Sequence, residues 1–217
     1  MTHHKPLRNI CILGNIASGK STLTKFLGAS ISNSIAIPEN FDDNPFLKMF
    51  VADPPRWAFT NAVRYFYDYA RVYHELTTGR AFEHYFFDAG GATNRYVYGR
   101  YLLAEKIITP EEAAFHELLC DMIQRAYAYP EPDAFIFLRA SPEKCFARMN
   151  ARGWGYQTQH IPLEYIVALE EYFRAYQSAL QTQHARILEL DSERMDFMSE
   201  AGRAEILRIV RAFMESF

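Results

Sequence analysis

Short apolar runs alternate along the chain with longer stretches in which apolar residues recur at helical spacing. The runs read as strands buried on both faces, and the longer stretches as amphipathic helices that cover them. Strands are expected at Asn9–Leu13, Ser34–Pro38, His84–Asp88, Ala134–Leu138 and Arg186–Leu190. Helices are expected at Lys20–Gly28, Pro45–Phe50, Pro55–Thr78, Thr93–Lys106, Pro110–Tyr127, Pro142–Ala151, Pro162–Gln181 and Glu200–Phe217. Several helices open on proline just after a capping residue, as at Thr109-Pro110 and Ser141-Pro142, where the missing N–H costs nothing. The alternation gives an α/β fold with a parallel sheet between helical layers. Ligands in such folds bind beyond the carboxyl ends of the strands, so Glu39 and Asp88 should both face the loop after Leu13.

Composition narrows the partners more than it narrows the fold. A chain of 217 residues, 49% hydrophobic and without internal repeat or low-complexity linker, fits one domain spanning 1–217. Its net charge of -3 and lack of a long basic run argue against nucleic acid. No stretch is long and apolar enough to span a bilayer, and Met1–Pro6 has no apolar leader run, so a cytoplasmic protein with no membrane partner is expected. Cys11, Cys120 and Cys145 are isolated within apolar segments and read as buried thiols of a reducing compartment.

The chemistry centres on Gly14-Asn15-Ile16-Ala17-Ser18-Gly19-Lys20-Ser21, a G-x-x-x-x-G-K-[ST] match lying between a strand-like run and a helix-like run. Glycines there let successive backbone N–H groups turn inward, and the helix start adds its positive dipole end. Gly14 to Thr22, that is Gly14, Asn15, Ile16, Ala17, Ser18, Gly19, Lys20, Ser21 and Thr22, are therefore candidate contacts to ATP. Lys20 should reach the β- and γ-phosphates, and the Ser21 hydroxyl should help to hold Mg2+.

Further motifs come in order: Pro38-Glu39-Asn40-Phe41-Asp42-Asp43-Asn44-Pro45-Phe46, then Arg56-Trp57-Ala58-Phe59, Asp88 with Arg95-Tyr96, and Asp133 to Glu143. With the phosphate loop, this combination resembles the deoxyribonucleoside kinase family over most of the chain. The resemblance implies a P-loop kinase fold with a five-stranded parallel sheet in the order 2-3-1-4-5 and a helical lid. It also implies a homodimer built through helices, and transfer of the γ-phosphoryl of ATP to a deoxynucleoside 5′-hydroxyl. Glu39 falls at the family's general base, a role that suits a carboxylate beside an attacking hydroxyl; by itself it also reads as a loop or capping acid. Asp88 ends its strand where an acid can hold a Mg2+ water or the base-binding network, or simply form a turn. Arg148 and Arg152 match the arginine-rich lid, around 148–160, and can swing onto the phosphates; helix-end cations are the plainer reading. Trp154 stands where a third lid arginine is expected, as a stacking group or a hinge plug, between Gly153 and Gly155.

The acceptor side departs from the family. Ala89-Gly90 replaces an Arg-Ser pair after Asp88, Ala62 stands where a base-reading Gln is expected, and Tyr69 and Asn94 replace an Arg-Asp pair. A sugar-contacting Tyr becomes Phe50. Ala62, Tyr65 and Tyr69 share one helix face, with Trp57 upstream, whereas Arg64 and Arg71 lie on the other face. Arg95 and Arg100 are then the candidates to replace the missing cation. Two readings result. One is an ATP-dependent kinase with a rewired pocket, acting on a nucleoside or on a non-nucleoside alcohol, for which Tyr65, Tyr69 and Trp57 would suit an aromatic compound. The other is a nucleotide-binding protein without transfer activity.

Overall fold

A computed structural model describes residues 8–39 and 44–216; the motif residues Asn40, Phe41, Asp42 and Asp43, and Phe217, lie outside them. Five parallel strands, β1 (Asn9–Leu13), β2 (Ser34–Ile37), β3 (His84–Asp88), β4 (Ala134–Arg139) and β5 (Arg186–Asp191), form one sheet in the order β2-β3-β1-β4-β5. This is the expected order. Central β1 bonds β3 on one side and β4 on the other, with Ile12 opposite both Asp88 and Ile136. All residues from Ile10 to Leu13 are buried, as expected of a strand covered on both faces.

The alternation of side chains along each strand divides the core. Cys11, Leu13, Phe87, Phe135 and Phe137 face one layer, with Phe66 and Tyr69. Ile10, Ile12, Phe86, Ile136 and Leu138 face the other, with Leu23, Leu27, Ile206 and Val210. Each fully buried large side chain contributes about 1.5–3 kcal/mol, so this double-sided burial fixes the register of β1 and, with it, the loop after it.

The helices are α1 (Lys20–Ser30), α2 (Phe46–Ala52), α3 (Pro54–Thr77), α4 (Gly90–Thr93), α5 (Gly99–Ala104), α6 (Pro110–Ala126), α7 (Pro142–Arg152), α8 (Gly155–His160), α9 (Leu163–Thr182) and α10 (Glu200–Glu215). Capping accounts for several starts. Thr109 accepts from Glu112 N at 3.1 Å while the Glu112 carboxylate accepts from Thr109 N at 2.8 Å, and Ser141 and Ser199 cap α7 and α10. Two features differ from the periodic pattern. A short helix, α8, comes after the left-handed Gly153. The helix expected from Thr93 starts at Gly90 and contains a π turn, Asn94–Tyr98, closed by Gly99 N on the Asn94 carbonyl. Apolar spacing does not reveal that one wide turn, because its neighbours on both sides remain α-helical.

Candidate active site

The phosphate loop owes its shape to backbone more than to side-chain bulk. Gly14 and Gly19 have φ of 151° and 107°, and a Cβ on Gly14 would lie 2.8 Å from the Leu138 carbonyl oxygen. Asn15 is locked from behind: its Nδ2 donates to Ile166 O at 2.9 Å and Glu170 Oε2 at 3.2 Å, and its Oδ1 accepts from Ile16 N at 2.8 Å. Lys20 Nζ crosses the loop to Gly14 O and Asn15 O, both at 2.9 Å. The start of α1 has no side-chain cap and no acid in its first turn, and Ser18 Oγ is buried without a partner. Backbone donors at a helix start, its dipole end and a lysine at the loop fit a polyphosphate.

A cavity of about 850 Å³ opens from this loop. Ile16 to Thr22 line its floor; Arg148, Ser192 and the segment Met195–Met198 line one end, and Glu39, Phe50, Ala62, Tyr65, Tyr69, Ala89 and Asn94 line the other. Gly14 and Asn15 frame the loop from behind without reaching the cavity surface. Asp88 is buried at the end of β3, where the nearby Ser21 side chain and Glu39 backbone favour its ionised form, while its Oδ1 has no hydrogen-bond partner. Burial raises its carboxyl pKa against the opposing pull of Lys20 and these groups. A P-loop serine near a strand-end carboxylate with an unused oxygen fits Mg2+, which takes only one or two protein oxygens beside substrate phosphates. Among the described residues there is no group of three His, Cys, Asp or Glu that could hold a metal unaided.

Glu39 meets the acceptor end of the cavity. Its Oε1 accepts a 2.6 Å hydrogen bond from the Tyr69 hydroxyl. Burial, and then the nearby Asp88, push the Glu39 pKa up to about 8 against the lowering influence of Lys20, Tyr69 and Arg152. Burial and Glu39 in turn hold the Tyr69 phenol well above its ordinary value. Ala89 has φ 62° and ψ -56°, a sparsely populated conformation costing about 1–3 kcal/mol. It is pinned by Ala89 N to Ile12 O and by Cys11 Sγ and Thr93 Oγ1, both donating to Ala89 O. Asn94 Nδ2 donates to Ala62 O at 3.2 Å, which orients the amide and leaves Oδ1 buried without a partner.

The two lid arginines occupy different settings. Arg148 donates to Ser18 O, Ser192 Oγ and Ser192 O, the last at 2.6 Å, and so ties α7 to the phosphate loop and to the turn after β5. Arg152 stacks 3.8 Å from the Trp154 ring centre and donates to Gln157 Oε1 at 2.5 Å. Trp154 is therefore a platform for Arg152.

Three residues expected on the acceptor side lie outside the cavity lining. Arg95 does not line the cavity: it points to α6, with Nε 2.8 Å from Glu117 Oε2 and Nη2 2.9 Å from Asp121 Oδ1. Successive helical side chains point about 100° apart, so a turn that aims Asn94 at the cavity aims Arg95 away. Arg100 is exposed and is not in the lining either. Trp57 also misses the cavity, stacking on Phe46 at 5.7 Å beneath the Arg56 guanidinium. Arg64 and Arg71 instead flank the buried Asp68, at 2.7 and 3.5 Å. Sequence reasoning missed Asn61, Tyr98 and Tyr165 in the lining, although Asn61 adjoins Ala62 and Tyr98 stands four residues after Asn94.

Comparison with known proteins gives the same reading of the chain as a whole. The deoxynucleoside kinase family model matches residues 10–215. The chain belongs to the deoxynucleoside kinase family. It is 27% identical to a deoxyguanosine kinase of Lactobacillus johnsonii over 94% of this chain and 91% of that one. It is 31% identical to deoxycytidine kinase 2 of Gallus gallus, over 75% and 71%. In fold it is similar to a deoxyadenosine kinase from M. mycoides solved with bound products, with a TM-score of 0.74 at 16% identity, covering 94% and 99% of the two chains.

Proposed function

We propose that this chain transfers the γ-phosphoryl group of ATP to the 5′-hydroxyl of a deoxynucleoside. The observation that carries the reading is one cavity lined both by the phosphate loop and by the Glu39 carboxylate. The acceptor hydroxyl gives its proton to Glu39 as its oxygen bonds to the γ-phosphorus; the bond to the β-phosphate oxygen breaks, and ADP leaves with the electron pair. Lys20 and the α1 N-terminus hold the phosphates, while Arg148 and Arg152 face the charge that develops on the transferred group. Ser21 and Asp88 would hold Mg2+, which when bound neutralises phosphate charge. The Asn94 oxygen fits a donor on the nucleobase, since a ligand would relieve its unpaired state.

Ala62 and Ala89, small groups in the acceptor wall, favour a second reading in which the alcohol is not a nucleoside. ADP release from Mg-ATP, measured over deoxynucleosides, ribonucleosides and small alcohols with Glu39→Gln alongside, separates the two. Glu39-dependent turnover confined to deoxynucleosides is the expected result; turnover confined to other alcohols would replace it, and ATP binding without transfer to any acceptor would leave a nucleotide-binding protein.

We further read 1–217 as one domain, with 148–160 acting as the lid, and the protein as a homodimer. Phe115, Leu118 and Met122 support the dimer: they are spaced as one face of α6 and are 53–64% exposed. No helix among the described residues is long and apolar enough to cross a membrane, and the free, buried Cys11, Cys120 and Cys145 suit a reducing cytoplasm.

A further inference from the structure

The Glu39 carboxylate follows β2 and is held, among the described residues, by a contact from another element. It lies just beyond β2, an edge strand whose sole neighbour in the sheet is β3. Its backbone lies near Asp88, but several rotatable bonds separate the main chain from the carboxylate. Among the described residues, Tyr69 provides the one hydrogen bond to the carboxylate, to Oε1 at 2.6 Å. Lys20 and Arg152 attract Glu39 by charge, and Asp88 repels it. Tyr69 itself has little freedom. It rises from within the 24-residue α3, is 4% exposed, packs in the core layer with Phe66 and Phe87, and lies 6.1 Å from the Tyr65 ring. A phenol seated in this way fixes its oxygen through ring packing, and it costs less conformational entropy than ordering a flexible side chain.

We propose that Tyr69 is the positioning residue of the transfer: its hydroxyl clamps Glu39 Oε1 so that Oε2 is presented to the acceptor hydroxyl. This inference rests on the reading of Glu39 as base. The proton from the acceptor goes to Oε2, the acceptor oxygen bonds to the γ-phosphorus, and ADP departs with the electrons of the broken bond. Tyr69 keeps its proton throughout and touches no reacting atom. A neutral clamp restrains the carboxylate without the strong suppression of basicity that a bonded cation imposes.

The test is a double-mutant cycle on the full chain, with Mg-ATP and whichever acceptor supports Glu39-dependent turnover. Tyr69→Phe keeps the packed ring and removes only the clamp. Losing a hydrogen bond to a charged group predicts a roughly 10- to 100-fold fall in kcat. KM for ATP and acceptor should stay within about 3-fold, because the clamp serves the transfer step. In the Glu39→Gln background the same change should alter kcat by less than about 2-fold, since no base remains to be aimed. Incorporation of 3-fluorotyrosine at position 69, which restores a hydroxyl, should return kcat to within about 3-fold of the unmodified enzyme and shows that the loss is not one of folding. A raised acceptor KM at constant kcat overturns the proposal in favour of direct acceptor binding. Equal losses in both backgrounds overturn it in favour of a structural role. Full activity of Tyr69→Phe beside an inactive Glu39→Gln defeats the clamp and leaves the base standing; full activity of Glu39→Gln defeats both.

Discussion

The phosphate end of the cavity is a single continuous stretch, Gly14 to Thr22, whereas the acceptor end is assembled from the residue after β2, one face of α3, the residue after β3 and a π turn. At the phosphate end the long side chains are tied to the fold, with Ser18 Oγ left unpaired: Asn15 holds α9, Lys20 holds two loop carbonyls, and Arg148 holds Ser18 O and Ser192. At the acceptor end, two alanines leave space, and Asn94 and Asp88 each keep an unpaired oxygen. A chemistry common to many phosphate-binding proteins can be built as one rigid unit. Recognition of a particular acceptor is distributed, so it can be altered one element at a time without disturbing the loop.

The largest effect should come from breaking the rigid end. Lys20→Ala is expected to lower kcat/KM by at least about 100-fold and to weaken ATP binding in calorimetry, because in the proposed mechanism Lys20 is the loop's one cation for the phosphates. Unchanged ATP affinity and turnover would remove the loop from the mechanism. Next comes Glu39→Gln, expected to depress kcat by roughly 10²- to 10⁴-fold while ATP affinity stays within about 3-fold. That pattern in single-turnover kinetics assigns the loss to transfer and not to donor binding.

Smaller changes sharpen the acceptor side. Ala89→Arg with Ala62→Gln should improve deoxynucleoside kcat/KM about tenfold, the worth of one well-made hydrogen bond. The Ala89 backbone already carries a Cβ at positive φ, so the new side chain extends an existing strain and adds none of its own. No gain in kcat/KM points to a different acceptor geometry. Asn94→Leu should raise acceptor KM about tenfold at a stability cost below about 1 kcal/mol, since removal of an unpaired oxygen offsets the lost bond to Ala62. An unchanged KM would remove Asn94 from recognition.

The smallest effect concerns the support of that wall. His116 is buried near the Ala62 backbone, with Cys120 Sγ 3.4 Å from its Nε2, and its pKa is lowered chiefly by burial. A lowered native pKa means that the unfolded chain takes up the proton first on acidification. Stability should therefore fall as pH drops from about 6.5 through the native pKa, and the slope should flatten in His116→Gln. Equal slopes in the two proteins, measured by thermal melts at stepped pH, would show that His116 does not titrate in this way.

The sheet was legible because β1 and its partners are apolar on both faces, a pattern that survives without knowledge of the fold. The phosphate loop was legible because its chemistry is local. Ala62, Tyr65 and Tyr69 were found by helical spacing, and all three line the cavity. Arg95 and Trp57 were misread for one reason: position on a helix gives direction only when the helix is regular and its neighbours are known. The π turn fixes where Asn94 points, and Arg95 finds Glu117 and Asp121 on α6, acids distant in sequence. Trp57 finds Phe46 on α2, and no periodicity in α3 foretells that contact. The Tyr69–Glu39 bond joins positions thirty residues apart and has no local signature either.

The π turn also makes the acceptor end sensitive to the length of the chain as well as to its chemistry. A π turn spends one more residue on a revolution than an α turn, so loss of one residue between Asn94 and Tyr98 would let it close as ordinary α-helix with α4 and α5 keeping their relative facing. Asn94 and Tyr98 would then stand three positions apart, still on one face but about 60° apart around it, so their angle over the cavity would change though no side chain between them had changed in kind. An insertion or deletion in this stretch therefore carries information about acceptor choice that a set of substitutions omits.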